Sequence, residues 1–527
     1  MAHISYRANL SAAIFPLTYN NVGGTVIVPQ SDNNYDRRVD PAGEQKTAGI
    51  PQAIFLENVL PTEYGYQSVG YQDLPAITLG TGETIDFAYL ANNGFVAART
   101  TAPTPQWYLN SEANEFASAW QLSTTGATSL WNDTYWDTAF AFGAYYAMFP
   151  STGLANVTEG GNPLGPWQHV VLSTPTSGFD FGPPGPAYGS DLIIASHNYL
   201  IGINRFSGKV QWSSTTSPTD FTPSLVSGAG SIVPNDFKSE IVAVRMTAAG
   251  FIMYCKKNAI SATYTGNARY PWKFREVPDS HGYLAKTDIT VSKGAGVHYA
   301  IDSQKTLRAI TPENAQPIGP EVSTWLRGAT RLEYWDSVNN QVLGASIGGA
   351  KLNTWIRYVL NRYIFLSYKS SGSPSTAEFS YILVYDTLLQ RYGRLKVEHT
   401  YIFESQGVVY TLSKYGQCKR MIFGMAVTSG THDSTLVLGK FQYVRSRHLD
   451  LHNVRTEHGP DSNYAVGVIS SLDGATAGTY QALTASTLGA GINEYDCRLT
   501  GMNHQIVIRG KFDLNTLSLT FSPGAGR

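Results

Sequence analysis

The sequence predicts an all-β protein in which a β-propeller is followed by an antiparallel β-sandwich. Short runs of β-branched and aromatic residues, bounded by Gly, Asn, Asp or Ser, recur along the chain, and helical periodicity is scarce. Groups of three or four such runs return at intervals of about 45 to 60 residues, the spacing of propeller blades. A pair of sandwiches is the alternative, but six or so successive strand groups exceed what one sandwich needs.

The strand groups assign residues 51–435 to the propeller. Each group combines apolar runs with a recognisable turn, such as the one at His197 and Asn198 between two runs of the first group. The groups cover 190–205, 240–266 (turns near 248–250 and 256–258), 296–311 (a hairpin around 302–305), 361–396 (a polar loop at 370–377) and 407–423.

The two ends of the chain differ from this central region. Residues 1–50 are polar and loop-rich, and we expect them to form an extended arm that packs on the C-terminal domain or on a neighbouring subunit. Residues 436–527 contain long alternating strands, which predict a separate antiparallel sandwich as that C-terminal domain. Asp473 and Gly474 are predicted to form a two-residue hairpin turn within it.

One short helix is predicted over residues 110–122. Ser111 is placed as its N-cap, and Glu112 and Glu115 lie near its start, where carboxylates are favoured.

The composition predicts a surface that is largely covered by neighbouring subunits and that has no excess of positive charge. Charged residues are only 15% of the chain, well below the usual quarter, whereas aromatic residues reach 12%. Such a balance suits a protein whose surface is covered by neighbouring subunits. The formal net charge of −1 argues against a sequence-specific DNA reader and remains compatible with a neutral conduit for DNA.

The cysteines indicate a reducing compartment, and the length of the apolar runs indicates whether a segment could span a membrane. Cys255, Cys418 and Cys497 are three in number and far apart, so we expect buried thiols and no disulfide framework. We also expect no secretory signal and no membrane segment, because no run approaches the roughly 18 apolar residues of a membrane span. The predicted product is a soluble protein made in the cytoplasm.

One strand offers a candidate metal site. His448, Asp450 and His452 stand at i, i+2 and i+4, so they point to one face of a strand. An exposed strand face alternating with Leu449 and Leu451 is the favoured interpretation, because the sequence places no fourth ligand.

The sequence gives only weak evidence for catalytic residues. Asp279, Ser280 and His281 are adjacent, so they cannot form a triad, and we interpret them as a turn capped by Asp279. The stretch "SSLDGATAGTY" resembles turns of sialidase-type propellers, but those turns are structural, and no arginine cluster with a paired Tyr and Glu accompanies it. The segment "GAGSI" lacks the ending of a phosphate-binding loop. We therefore assign no catalytic residue, no cofactor and no metal, and expect a non-enzymatic protein.

Aromatic residues cluster in "LWNDTYWDTAFAFGAYYAMF" at residues 130–149. We interpret them as blade core or subunit contact, and a carbohydrate- or base-stacking platform is the alternative.

The uncharged stretch "GKVQWSSTTSPTDFTPSLVSGAGSI" is predicted to be a connector between blades. Trp212 would anchor against the next blade, Pro218 and Asp220 would form a turn, and Phe221 would return the chain to the core. Residues 228–230 would then lead into the next blade.

Several stretches together resemble the nozzle proteins, or tail tubular proteins B, of short-tailed bacteriophages. They include "IFLENVLPTEYGYQSVGYQ", "DLIIASHNYLIGINRFSGKVQWSSTTSPTDFTP", "MYCKKNAISATYTGNARYPWKFREVPDSHG", "YILVYDTLLQRYGRLKVEH", "LVLGKFQYVRSRHLDL" and "GVISSLDG". Within them, Tyr264 and Gly266 lie in a Tyr-Thr-Gly turn, Pro278 ends a Phe-Arg-x-Val-Pro run, Asp386 ends a Val-Tyr-Asp strand, and Gly393 belongs to an aromatic-Gly turn. The matching order of these motifs covers about 60% of the chain.

The resemblance implies a structural virion protein. Members of this family form a homohexameric ring at the distal end of the tail, with a propeller beside a platform domain. The ring docks on the adaptor, supports tail fibres or spikes, and conducts double-stranded DNA without sequence specificity. The resemblance therefore implies a location in the virion tail after assembly in the host cytoplasm. A carbohydrate-binding or carbohydrate-cleaving tail propeller is the alternative function.

Overall fold

A computed structural model describes the chain. The described residues are 4–10, 25–28, 53–90, 95–100, 106–111, 115–122, 137–141, 144–149, 153–159, 167–171, 192–217, 220–292, 294, 296–327, 334–336, 341–343, 355–369, 378–423, 434–443, 448–460, 462–472, 478–489 and 491–523.

Five strands precede the propeller blades. They are β1 (Ile4–Asn9), β2 (Thr25–Val28), β3 (Ala53–Glu57), β4 (Val59–Pro61) and β5 (Tyr66–Leu74).

Among the described residues, seven four-stranded antiparallel units follow, here called blades 1 to 7. Blade 1 contains β6 (Ile85–Leu90), β7 (Phe95–Thr100), β8 (Trp107–Ser111) and β9 (Gln121–Leu122). Blade 2 contains β10 (Asp137–Ala141), β11 (Ala144–Phe149), β12 (Gly153–Glu159) and β13 (Trp167–Val171). Blade 3 contains β14 (Leu192–Ser196), β15 (Tyr199–Ile203), β16 (Val210–Trp212) and β17 (Gly230–Ile232). Blade 4 contains β18 (Ile241–Thr247), β19 (Gly250–Cys255), β20 (Ala259–Tyr264) and β21 (Trp272–Glu276).

The remaining blades involve a helix and one strand from the N-terminal part of the chain. Blade 5 contains β22 (Ile289–Val291), β23 (His298–Ile301), β24 (Leu307–Ile310) and β25 (Ala315–Pro317). It is followed by the helix α1 (Pro320–Leu326) and a separate hairpin of β26 (Tyr334–Asp336) and β27 (Gln341–Leu343). Blade 6 contains β28 (Trp355–Val359), β29 (Tyr363–Tyr368), β30 (Phe379–Asp386) and β31 (Arg391–His399). Blade 7 contains β32 (Tyr401–Ser405), β33 (Val408–Leu412), β34 (Cys418–Phe423) and the early strand β5.

The order of the blades is that of a β-propeller. The first strands of successive blades lie side by side, from β10 through β14, β18, β22, β28 and β32 to β6. Seven antiparallel sheets that meet along their first strands form a ring around a common axis. Strand β5 supplies the outermost strand of blade 7 and thereby joins the N-terminal part of the chain to the last blade.

The C-terminal strands complete a β-sandwich. They are β35 (Thr435–Leu438), β36 (Lys440–Tyr443), β37 (Leu449–His458), β38 (Asn463–Ser471), β39 (Thr479–Ala482), β40 (Thr487–Gly489), β41 (Ile492–Gly501), β42 (Asn503–Lys511) and β43 (Asp513–Pro523). One sheet is built around β43, β37 and β41, and the other around β36, β42, β35 and β38. Strand β37 alternates buried and half-exposed residues, as a strand on one face of a sandwich should.

The N-terminal strands belong to this sandwich. Strand β1 pairs with β43, β2 pairs with β36, and β3 pairs with β35. The first of these pairings buries Tyr6 edge-on against Phe441. The structure therefore differs from the predicted division, because β3 lies inside the predicted propeller range of 51–435 yet forms part of the sandwich.

The prediction of a helix over 110–122 was wrong. Asn110 and Ser111 end β8, and Glu115 and Phe116 adopt left-handed backbone conformations that no helix allows. The ring of Phe116 is fully buried against Phe403 and Tyr410 of blade 7. Burial of this ring outweighs the local helix preference of the segment.

The predicted turn at His197 and Asn198 is confirmed. Both residues have positive φ values, 48° and 60°, and they join β14 to β15 directly. Two left-handed residues match the twist of the flanking strands, which is why such turns are preferred in tight hairpins.

The turn predicted at Asp473 and Gly474 needs correction. Pairing of β38 with β39 ends at Ser470 and Thr479, so the connection is longer than the two-residue turn predicted at Asp473 and Gly474. Those two residues lie outside the described ones, as do the side chains of the aromatic stretch at 130–149.

One of the buried hydrophobic clusters runs from the sandwich into the propeller. It contains sandwich residues such as Leu451 and Leu519, the helix residue Trp325, and the blade 6 residues Ile364 and Leu383. Because one core spans both parts, the propeller and the sandwich pack as one unit.

Candidate functional site at the propeller–sandwich junction

Hydrogen-bonded strands continue from blade 6 into the sandwich. The outer strand of blade 6, β31, pairs with β4 through Arg394 and Val59. Strand β4 forms a hairpin with β5, and the start of β5 pairs with β43 of the sandwich. The rest of β5 pairs with β34 of blade 7, so one strand links two blades to the sandwich.

Asn58 forms the corner between β3 and β4. Its φ of 55° lies in the left-handed region, which Asn tolerates better than most residues. Its side-chain Oδ1 accepts hydrogen bonds from the Tyr71 hydroxyl at 3.0 Å and from the Lys396 amide at 2.8 Å. Its carbonyl accepts the amide of Val69 at 2.8 Å. This buried corner thereby fixes the positions of β5 and β31 relative to the sandwich.

Arg391 ties three segments together. One guanidinium nitrogen donates to the Thr62 carbonyl at 3.1 Å, and the other donates to the Leu10 carbonyl at 3.0 Å. The guanidinium also lies 4.5 Å from the ring centroid of Tyr66. Since Leu10 follows β1, this buried arginine of blade 6 holds the N-terminal strand of the sandwich.

Arg394 is fully buried at the same junction. Its guanidinium lies 4.6 Å from the ring centroid of Tyr381 in blade 6 and 5.3 Å from that of Phe55 in β3. Burial raises the pKa of the neighbouring Tyr368 to about 12, although the charge of Arg394 opposes this shift. A cation between aromatic rings of the two parts adds an attraction that water cannot screen.

Gly393 lies within β31 and not in the aromatic-Gly turn that was predicted. The turn of this hairpin is formed by residues 387–390. A Cβ atom on Gly393 would stand 2.6 Å from the Val59 carbonyl oxygen and 2.9 Å from Cδ of Pro61. The missing side chain therefore allows β4 to approach β31.

Gly393→Ala is expected to destabilise the protein by about 1 to 3 kcal/mol, because the clashing atoms belong to backbone and to a rigid ring. Gly296→Ala is the matched control, because a Cβ there meets nothing within 4 Å. Urea denaturation followed by tryptophan fluorescence measures both. Equal stability of the two variants would contradict the proposed close approach.

Asp386 is the predicted site residue with the densest set of contacts. It is fully buried at the end of β30, and its Oδ2 accepts hydrogen bonds from Nε and Nη2 of Arg362 at 2.9 and 2.7 Å. Its Oδ1 accepts the amides of Leu388 and Leu389. One carboxylate thus holds the turn that precedes β31.

Trp212, Asp220 and Phe221 lie in or beside the connection 213–229. The structure corrects the predicted role of this stretch, because it joins β16 to β17 within blade 3 and does not lead into the next blade. Trp212 Nε1 donates to the Gly228 carbonyl at 2.8 Å, and Asp220 Oδ1 accepts the Thr222 amide at 3.0 Å. Phe221 is buried, and Pro218 lies outside the described residues.

The blade 4 site residues lie around the two ends of β21. Tyr264 ends β20 and stacks on His197 of blade 3, with ring centroids 4.3 Å apart. Gly266 has a φ of 75° in the exposed connection that follows. Pro278 is exposed in the turn after β21, and its carbonyl accepts the amide of Ala315 at 3.1 Å.

Two residues of the candidate metal site take separate partners, whereas Nδ1 of the third, His448, is buried without a hydrogen-bond partner in the described part of the chain. Asp450 Oδ1 accepts the Thr500 hydroxyl at 2.6 Å, and His452 Nε2 lies 2.6 Å from the Ser522 hydroxyl. Among the described residues, the structure contains no group of three His, Cys, Asp or Glu that could hold a metal ion.

The other residues that were considered for catalysis also have structural roles. Asp279 lies in a turn with a φ of 56°, and Ser280 Oγ accepts the amide of Ala259 at 3.0 Å. Burial raises the pKa of Cys255 and of Cys418 to about 12 and that of Cys497 to about 11. All three cysteines are free and remain protonated thiols at neutral pH, which makes them poor nucleophiles.

Sequence reasoning missed Asn58, Arg391 and Arg394. The sequence offers one signal for the two arginines. Both lie in "RYGRLK", directly after an apolar strand, where we would expect no more than one exposed charged side chain. Their partners across the junction, Leu10, Thr62 and Phe55, lie more than 300 positions away, so only the fold brings them together.

Comparison with known proteins adds little to this description. No protein-family model matches the chain, and no curated protein matches it. Solved structures with some similarity include BamB from Moraxella catarrhalis, at 8% identity and a TM-score of 0.32, covering 68% of this chain and 99% of that one. Another is the β-propeller domain of Cps50 (Swd1) from Myceliophteria thermophila, at 9% identity and a TM-score of 0.33, covering 64% and 99%. Within the described residues, no helix is long and apolar enough to cross a membrane.

Proposed function

We propose that this chain is a structural subunit of the tail nozzle of a short-tailed bacteriophage. Six copies would form a ring at the distal end of the tail, dock on the adaptor, support fibres or spikes, and conduct double-stranded DNA. The order of the nozzle-like motifs along the sequence supports this family assignment.

The observation that carries the proposal is the way in which the propeller and the sandwich are joined. Strand pairing passes from β31 through β4 and β5 to β43, and Arg391 and Arg394 fix the same junction with buried contacts. We expect a propeller that is joined to a sandwich in this way to move as one block. Rigidity of this kind suits a wall element, which must hold a channel open while DNA passes.

The charge of the chain supports the same function. A conduit should not grip the phosphates of its cargo, since each lysine or arginine contact would add to binding. The formal net charge of −1 supplies no excess of cations for such contacts.

Ring assembly is the decisive measurement. Native mass spectrometry and negative-stain electron microscopy of the purified chain, alone and with the adaptor protein of the same virion, are expected to yield closed six-fold rings. A chain that remains monomeric in both conditions and cleaves or binds glycans would overturn the nozzle assignment and favour a carbohydrate-directed propeller.

A further inference from the structure

The connection between the third and fourth strands of blade 3 covers residues 213–229. Between the described strands of blades 1, 2, 4, 5 and 6, the corresponding connection has fewer residues: it covers 112–120, 160–166, 265–271, 311–314 and 387–390. A compact long loop on a rigid scaffold is frequently a contact element.

The described part of this connection is held from within. The Ser214 amide donates to the Asp220 carbonyl at 2.7 Å, and the Gly228 amide donates to the Ser224 carbonyl at 2.9 Å. The Trp212 side chain adds its bond to Gly228. These bonds need no partner at the tip, so the loop keeps its shape before any association and loses little entropy when it binds.

The tip of this loop exposes two aliphatic side chains. Leu225 is 71% exposed and Val226 is 99% exposed, whereas such residues are usually covered in a monomer. Residues 222–229 contain no charged side chain. An uncharged aliphatic tip suits an apolar protein surface, because it offers no cation for phosphate and the flanking hydroxyls of Ser224 and Ser227 bond within the loop.

A second exposed apolar surface lies at the junction described above. Tyr64 and Leu388 are each 69% exposed, in two neighbouring turns that are linked through Arg391 and the Thr62 carbonyl. Asp386, which caps the turn of Leu388, is already paired with Arg362. This surface, the Tyr64–Leu388 patch, therefore presents two firmly held apolar side chains, and the exposed carboxylate of Glu63 lies at its edge.

The positions of the tip and the patch fit successive copies of one chain. Both include connections between the third and fourth strands, so both lie on the same face of the propeller and at its outer rim. Blades 3 and 6 are three steps apart in a ring of seven, which separates them by about 150° around the axis. Two different surfaces on nearly opposite sides of a subunit are what a head-to-tail ring requires.

We propose that Leu225 and Val226 of one copy pack against the Tyr64–Leu388 patch of the next copy, and that this contact closes the ring. The proposal rests on the ring-forming function proposed above and identifies the two surfaces that carry it.

The double variant Leu225→Ser/Val226→Ser tests the contact. Loss of two buried aliphatic side chains is expected to raise the subunit dissociation constant by about a hundredfold or more, which converts rings to monomers at micromolar concentration. Leu388→Ser is expected to act in the same direction. Tyr415→Ser is the matched control, because Tyr415 is 59% exposed in the connection between the second and third strands of blade 7, on the opposite face. Thermal unfolding of each variant verifies that the fold is retained.

Cysteine cross-linking identifies the partner surfaces directly. Val226→Cys with Leu388→Cys, in a Cys497→Ser background, is expected to give covalent ladders of linked copies under oxidation. Rings that persist in the serine double variant and form no ladder would overturn this contact while leaving the nozzle function intact. A wild-type chain that forms no ring with or without the adaptor would overturn both.

Discussion

Replacing Asp386 with alanine is expected to lower the free energy of unfolding by about 3 to 5 kcal/mol, the cost of removing one partner from a buried ion pair. The substitution leaves Arg362, whose side chain is only 19% exposed, without its carboxylate. It also leaves the amides of Leu388 and Leu389 without their acceptor. Urea denaturation followed by tryptophan fluorescence and far-UV circular dichroism measures the change.

Two companion variants separate charge from position. Asp386→Asn retains an oxygen for the two amides but loses the charge, so its loss of stability should lie between those of the wild type and the alanine variant. Asp73→Ala removes a carboxylate that is 85% exposed and lies 3.5 Å from Lys419, and it should change stability by less than about 0.5 kcal/mol. Equal effects at positions 386 and 73 would refute the structural role of Asp386.

Local signals predicted strands of blades 3 to 7, because most of each blade is built from neighbours in sequence. The turn at His197 and Asn198 illustrates this, since the two flanking apolar runs and the turn residues alone define a hairpin. The segment 110–122 illustrates the opposite case. Its helix-favouring residues yield to Phe116, whose burial partners Phe403 and Tyr410 lie far along the chain.

The junction escaped prediction for the same physical reason. Strand β1 pairs with β43 across almost the whole length of the chain, and nothing in the local pattern of either strand specifies that pairing. The connection 213–229 was misplaced because Gly228 and its neighbours suit an inter-blade link as well as a loop within one blade. Only the pairing of β16 with β17 distinguishes the two.

Acid is expected to destabilise the propeller through two buried histidines. Burial lowers the pKa of His298 to about 4, helped by the charge of Arg245 and opposed by the Met246 carbonyl. Burial likewise lowers the pKa of His399 to about 4, opposed by the Val397 carbonyl. Each neutral ring donates to its carbonyl, and its other nitrogen faces a hydroxyl, that of Tyr254 at 2.6 Å or of Ser367 at 2.7 Å.

The direction in which stability changes with pH follows from the lowered pKa values of the two histidines. The unfolded chain binds a proton at each histidine near pH 6.5, whereas the folded chain resists it until about pH 4. Stability from the neutral rings is therefore complete above pH 6.5 and is lost as the pH falls towards 4. Between pH 7 and pH 5, each histidine accounts for a loss of about 2 kcal/mol.

His399→Gln isolates one of these contributions, because glutamine can donate to the Val397 carbonyl and accept from Ser367 yet cannot take up a proton. Urea denaturation at pH 8, 7 and 5 is the measurement. Since the folded and unfolded chains are both almost neutral at this site above pH 7, the variant and the wild type should change in parallel between pH 8 and pH 7. Between pH 7 and pH 5, the variant should lose about 2 kcal/mol less than the wild type. A variant that tracks the wild type down to pH 5 would mean that His399 takes up its proton without cost in the folded protein, which its burial between Ser367 and the Val397 carbonyl argues against.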